Sequence, residues 1–357
     1  MRARCRRCCA GWTRFCRDEG IGQRGIPVSL PSRPRLRGRR QRLMHPAFSV
    51  IVFTTLSGTG FGLWFWLALR IALGDRAQWF DGLGWALGLI AGGALVAAGV
   101  IASLWHLGKP ARVWRAFSQW RSAWMSREGV FALLCFTIAF AMILVQSVVI
   151  ELPDDGLALR LLSCLLAPLC AAAVYSTAMI YASLKPIPAW RHRLVPPVYL
   201  QFAALGGGIL FGPFAASTLD APNMIPAGVI VGCIALWLTK RRYWRALDRG
   251  LPMPAAADAI GLPARHAISV EPPHTEANYL NREMGFVLAR KHARKLRTIA
   301  VVLFALIPAL CALPAWWLPH GDASPLFWAG AISFQLGALV ERWLFFAEAK
   351  HLVMLYY

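Results

Sequence analysis

Leu104-Trp105-His106-Leu107-Gly108-Lys109-Pro110 stands between two apolar runs, each long enough to cross a bilayer. The polar stretch continues through Arg112, Trp114, Arg115, Phe117, Trp120, Arg121, Trp124 and Arg127 to Glu128. It holds five cations, four tryptophans, one histidine and one carboxylate. A segment of that kind, flanked by spanning helices, belongs at a membrane face, where tryptophan rings and basic side chains favour the headgroup level. A histidine at the end of a spanning helix is placed to exchange protons with a lipid-soluble redox carrier. The plainer alternative is a helix-end histidine satisfied by its own surroundings.

Working outward, the same pattern repeats. The chain is 57% hydrophobic and only 15% charged, with a mean hydropathy of +0.50. A soluble domain carries more charge and less apolar surface. Eight apolar runs of spanning length fall at about 47–73, 82–105, 128–150, 157–183, 195–216, 222–239, 298–318 and 326–347. The expected fold is therefore all-α, a polytopic membrane bundle of eight transmembrane helices. Cations concentrate in alternate connections: 106–127, 184–194 and 240–297. The intervening connections carry Glu151, Asp154 and Asp155, then Asp220, then Asp322, and only the first holds an arginine, Arg76. The positive-inside rule then predicts a multi-pass membrane protein with both termini and the basic loops cytoplasmic.

The formal charge of +21 does not point to nucleic acid. Residues 1–42 hold 13 arginines against Asp18 and Glu19, a net +11, and most of the rest lies in the basic loops. The head, 1–43, reads either as a disordered basic tail or as sequence ahead of a true start at Met44. Residues 44–357 are expected to form the eight-helix membrane domain, with one long connection at about 240–297. Within that connection Leu280, Met284, Val287, Leu288 and Lys291 recur at helical spacing, as in a surface-lying or partner-docking helix. No paired C-x-x-C motifs occur among the nine cysteines, so no metal or iron–sulfur site is expected. None of the eight histidines falls in the middle third of a span, so haem is not expected. The absence of a Walker A motif argues against an ATP-driven transporter.

Four residues stand out as site candidates. His106 can hydrogen-bond a quinone carbonyl or accept a quinol proton. Glu128 opens the third span, where it serves as a proton relay or as a carboxylate favoured by the helix dipole. Arg127 beside it binds a headgroup or snorkels. Arg342 lies inside the last span next to Glu341, where ionisable groups are costly and tend to be paired. Adjacent positions on a helix diverge by about 100°, so each is expected to meet a partner on another helix. Gln335, on the same face as Arg342, is placed to line the same cavity. These features leave two rivals open: a secondary transporter using Glu341 and Arg342, and a purely structural anchor.

The motifs Met44-His45-Pro46-Ala47-Phe48-Ser49-Val50, His106-Leu107-Gly108-x-Pro110-x-Arg112, Trp114 to Arg121 and Ser126-Arg127-Glu128-Gly129 resemble the DmsC-type anchor family. These are the membrane subunits of dimethyl sulfoxide reductase-like molybdoenzymes, and the likeness runs from Met44 to the C-terminus. The resemblance implies a complex with a molybdopterin catalytic subunit and a four-cluster iron–sulfur subunit. It implies a haem-free anchor that exchanges electrons with quinone or quinol, seated among membrane lipids in the bacterial inner membrane. It makes His106 the quinone-site histidine and Glu128 the acidic residue that accompanies it. Ser183 to His192, Glu283 to Lys295 and Glu341-Arg342-Trp343 look closer to the sulfite-oxidising branch than to the enteric reductases. The direction of electron flow stays open, because one site chemistry serves both directions.

Overall fold

The computed structural model of the chain describes residues 48–74, 82–104, 110–146, 156–215, 224–251, 292–318 and 323–350. The basic head, His106 and the helix-like part of the long connection up to Lys291 lie outside them. Eight long helical segments make up the described chain: α1 Phe48–Leu73, α2 Gly82–Leu104, α3 Trp124–Gln146, α4 Leu157–Ala182, α5 Val195–Ala215, α6 Met224–Asp248, α7 Ala293–Trp316 and α8 Ser324–Ala347. A 3-10 helix, Pro110–Gln119, leads into α3. Seven of the eight are long and apolar enough to span a membrane. The eighth, α8, has the length, and Gln335, Glu341 and Arg342 dilute its apolar character. The multi-pass bundle expected from hydropathy is what forms.

Two boundaries move, and both moves matter. α3 begins at Trp124 rather than near 128, which sets Glu128 a full turn inside the helix. α6 runs to Asp248 rather than ending at 239. Lys240, Arg241 and Arg242 are therefore helical, not the opening of a loop, because a helix does not stop where hydropathy falls.

α1 and α5 form the centre. Of their most apolar windows 61% and 67% is buried, against 22% for α3 and 28% for α6, which face outward. α1 packs against α2, α4, α5 and α8, and α6 and α7 close the far side. The α1–α5 crossing is backbone against backbone at Gly62 and Gly207, as small-residue contacts between membrane helices allow. A Cβ on Gly62 would sit 1.8 Å from the Ala203 carbonyl oxygen. Gly62→Ala is expected to cost about 3 kcal/mol, the upper end for overpacking, because the obstacle is main chain. Gly228→Ala, which meets nothing within 4 Å, serves as the neutral control. Thermal unfolding of the two variants in detergent checks the contrast, and similar melting would show that the crossing yields.

α7 carries one turn of π-helix, Val302–Leu306. Ser333 of α8 donates to the Leu303 carbonyl at 2.8 Å, which stitches α8 to that irregular turn. At its entry, Arg297 bonds Asp248 at the end of α6 and Glu348 just after α8, at 2.9 Å each. One guanidinium thus ties three helix ends together.

Candidate functional site

Side chains with chemistry gather at one end of the bundle, where α1, α3, α5 and α7 begin and α2, α4, α6 and α8 end. The cation-rich connections leave from this same end. Glu128 comes from the second turn of α3, and facing it one turn from the end of α4 is Thr177. Glu128 is buried at 7% exposure, and the Thr177 hydroxyl is hydrogen-bonded to its Oε1. Thr177 Oγ1 also lies 3.1 Å from the Ala173 carbonyl oxygen, an alternative acceptor for its proton. A threonine has one hydroxyl proton and two acceptor lone pairs. An ionised Glu128 takes that proton. A protonated Glu128 instead donates to Thr177, which turns to Ala173. Both protonation states of the carboxyl are thus hydrogen-bonded without moving the backbone.

Arg127 points the other way. Its Nε donates to the Trp120 carbonyl at 3.1 Å, its Nη2 to the Arg121 carbonyl at 2.6 Å, and its guanidinium lies 4.3 Å from the Trp124 ring centroid. It fastens the connecting segment to the start of α3. Gly129 leaves the room for Phe117 to lie on α3, since a Cβ there would meet that ring at 3.2 Å.

The second group is a buried ion cluster. Glu341 is fully buried, Lys240 is 1% exposed and Arg342 2%. Lys240 Nζ donates to Glu341 Oε1, and Arg342 Nη1 lies 3.1 Å from Glu341 Oε2. The expectation of partners on other helices holds for both: Glu341 reaches Lys240 on α6, and Arg342 stacks 3.7 Å over Tyr199 and 4.9 Å from Phe202, both on α5. Lys240 Nζ sits 4.4 Å and 4.7 Å from the Tyr243 and Trp244 rings. Two cations held by one carboxylate and four aromatic faces satisfy the demand that charge buried in a membrane protein be paired. Lys240, Tyr199 and Thr177 are the members that hydropathy reading passed over.

A cavity of about 10 Å³ joins the groups. Thr54, Thr55, Thr59, Thr177, Tyr199 and Arg342 are among its walls. Thr54 and Thr55 give their protons to the Ile51 carbonyl at 3.1 and 2.9 Å, and Thr59 gives its own to Gln335 Oε1 at 3.0 Å. Their lone pairs are left to accept. Tyr199 Oη and Arg342 Nη1 have no aligned hydrogen-bond partner among the described residues, so they are left to donate. That is the size and polarity of a single-water site. Gln335 adjoins the cavity through Thr59 without being among its walls.

The described site therefore unites Glu128 with Arg342 through Thr177 and the cavity, and sets Arg127 apart. His106 belongs to the five residues between α2 and the 3-10 helix. Comparison with known proteins bears on the whole bundle. The family model for the DMSO reductase anchor subunit (DmsC) matches residues 44–347. A sulfite dehydrogenase subunit of Allochromatium vinosum is 32% identical over 332 residues, covering 88% of this chain and 99% of that protein. The family match starts four residues before α1 and ends on the last residue of α8, so it takes in every helix that builds the site, and the chain belongs to the DMSO reductase anchor subunit family.

Proposed function

We propose that this chain is the quinone-reactive membrane anchor of a molybdoenzyme complex in the bacterial inner membrane. A four-cluster iron–sulfur subunit docks on its basic, cytoplasmic end and connects it to a molybdopterin catalytic subunit. This chain holds no substrate site of its own for the molybdenum chemistry. The observation that carries the reading is Glu128: a buried carboxyl bonded on both sides of its titration, at the end of the bundle where the basic loops emerge.

Quinone reduction takes two electrons and two protons per molecule, and quinol oxidation returns them. The electrons pass to or from the iron–sulfur partner. His106 hydrogen-bonds the ring oxygen, and Glu128 relays the proton between that oxygen and the cytoplasmic side. The cavity behind Thr177 takes a water and not a quinone ring, so the ring reaches Glu128 from the side of the α2–α3 connection. Arg342, locked between Glu341 and Tyr199, fixes the electrostatics of the inner wall rather than touching the ring. That same locking disfavours a transporter, whose site needs free groups near mid-depth. The name of the Allochromatium relative favours electrons flowing from sulfite into the quinone pool.

The test is His106→Ala in the purified complex. Assembly and activity with an artificial soluble acceptor are expected to persist, and sulfite-dependent quinone reduction to fall at least about a hundredfold, as for loss of a positioned acid–base group. Undiminished quinone reduction would remove His106 from the site. Dimethyl sulfoxide reduction by the same complex, with no sulfite activity, would reverse the direction.

A further inference from the structure

Arg242 and Arg245 of α6, and Arg249 just past its end, recur at helical spacing on one face beyond the ion cluster. With His192 and Arg193 of the α4–α5 connection they line an open pocket of about 410 Å³, floored by Leu194 and Ala246. That volume is in the range of small-molecule sites. The His192 Nδ1 accepts the Leu194 N–H at 3.2 Å, so the neutral ring keeps its donor proton on Nε2. Partial burial and the Arg193 charge hold that imidazole below its ordinary pKa. The pocket's charge is then that of its guanidinium groups. Among the described residues no carboxylate is paired with them, and Asp248 and Glu348 are both bonded to Arg297. The dipole at the end of α6 favours cations there, and it does not explain why Arg193 converges from another segment.

A second observation says what the pocket takes. The outward residues of the preceding turns, Val231, Ile234 and Leu238, are 65%, 50% and 41% exposed. Counted at 100° per residue, they lie on the same face of α6 as Arg242, Arg245 and Arg249. An apolar stripe on an outward-facing membrane helix therefore runs without a break into an arginine pocket. Only an amphiphile with a negative head matches both parts.

We propose that this face of α6 is a binding site for an anionic phospholipid, with an acyl chain along Val231, Ile234 and Leu238 and the phosphate among Arg193, Arg242, Arg245 and Arg249. The arginine fork matches phosphate oxygens two at a time, and it charges the site at any working pH.

The experiment is native mass spectrometry of the full chain, with the subunits that purify alongside it, after exchange into nanodiscs of equal phosphatidylglycerol and phosphatidylcholine. Wild type is expected to retain phosphatidylglycerol at least tenfold over phosphatidylcholine. The double variant Arg242→Gln/Arg245→Gln is expected to lose that preference. Arg191→Gln, an exposed arginine outside the pocket, is expected to keep it. Equal retention by wild type and double variant would overturn the proposal. So would displacement of the lipid by millimolar inorganic phosphate, which would mark a free-phosphate site. Loss of the accompanying subunits with lipid retention unchanged would overturn it as well, and would assign the arginines to a protein partner.

Discussion

Glu341→Gln is expected to leave almost no folded protein in the membrane, whereas Lys240→Met accumulates close to wild-type level. The asymmetry comes from the count of charges. Among the described residues, Glu341 is the one carboxylate that both Lys240 and Arg342 contact. Neutralising it strands two cations, each no more than 2% exposed, in the interior of a membrane bundle. Breaking a buried pair from one side costs about 3–5 kcal/mol, and here two contacts break at once. Total stability is only about 5–15 kcal/mol for most domains, so the variant falls near or below threshold. Removing Lys240 instead leaves Glu341 with Arg342, a neutral pair still braced by Tyr199 and Phe202. It also takes one desolvated charge out of the interior, and Met fills similar volume with no polar head. The measurement is the monodisperse fraction of a fluorescent fusion on size exclusion, followed by thermal melting of whatever is recovered. Equal loss in both variants would mean that Lys240, not Glu341, organises the cluster.

The cluster also shows which parts of the molecule hydropathy exposes and which it conceals. All eight long helices were legible, because length and apolar content alone decide whether a segment suits a bilayer. Glu128 was legible as the carboxylate opening the third span, and Arg342 as a charge inside the last. Lys240 was not, since Lys240-Arg241-Arg242 has the appearance of a stop at the membrane surface. Yet the buried face of α6, Val229, Cys233 and Leu236, continues at the same spacing into Lys240 and Tyr243. Following that stripe past the edge of the apolar run separates an inward lysine from two exposed arginines. The pairing itself had no local signal. Lys240 and Glu341 are 101 positions apart, and only the packing of α6 near α8 brings them together. Thr177 was hidden for a different reason: a threonine in an apolar helix ordinarily bonds its own backbone, and this one has Glu128 as a second acceptor.

Glu128→Gln separates the proton chemistry from the architecture. Glutamine has the size of glutamate, and its amide oxygen still accepts from Thr177, so the α3–α4 contact survives. What it loses is the ability to bind and release a proton. Under the proposed function, the purified complex carrying Glu128→Gln should assemble fully and turn over normally with an artificial soluble acceptor. Its quinone-coupled rate should fall by about 10²–10⁴, the range for removing a positioned acid–base group. The loss should appear in kcat more than in KM, because the proton moves in the transition state whereas the ring is held mainly through His106. Thr177→Val is the graded companion. It keeps the carboxyl and removes its hydrogen-bond partner on α4, so it should slow the quinone step by a smaller factor and enlarge the solvent deuterium isotope effect. Steady-state rates in H₂O and D₂O with a short-chain quinone measure both variants on one scale. If Glu128→Gln reduces quinone at the wild-type rate while His106→Ala does not, the histidine works without this carboxyl and the proton reaches the quinone by another path. If both variants keep full rates, the chain anchors its partners without touching the quinone.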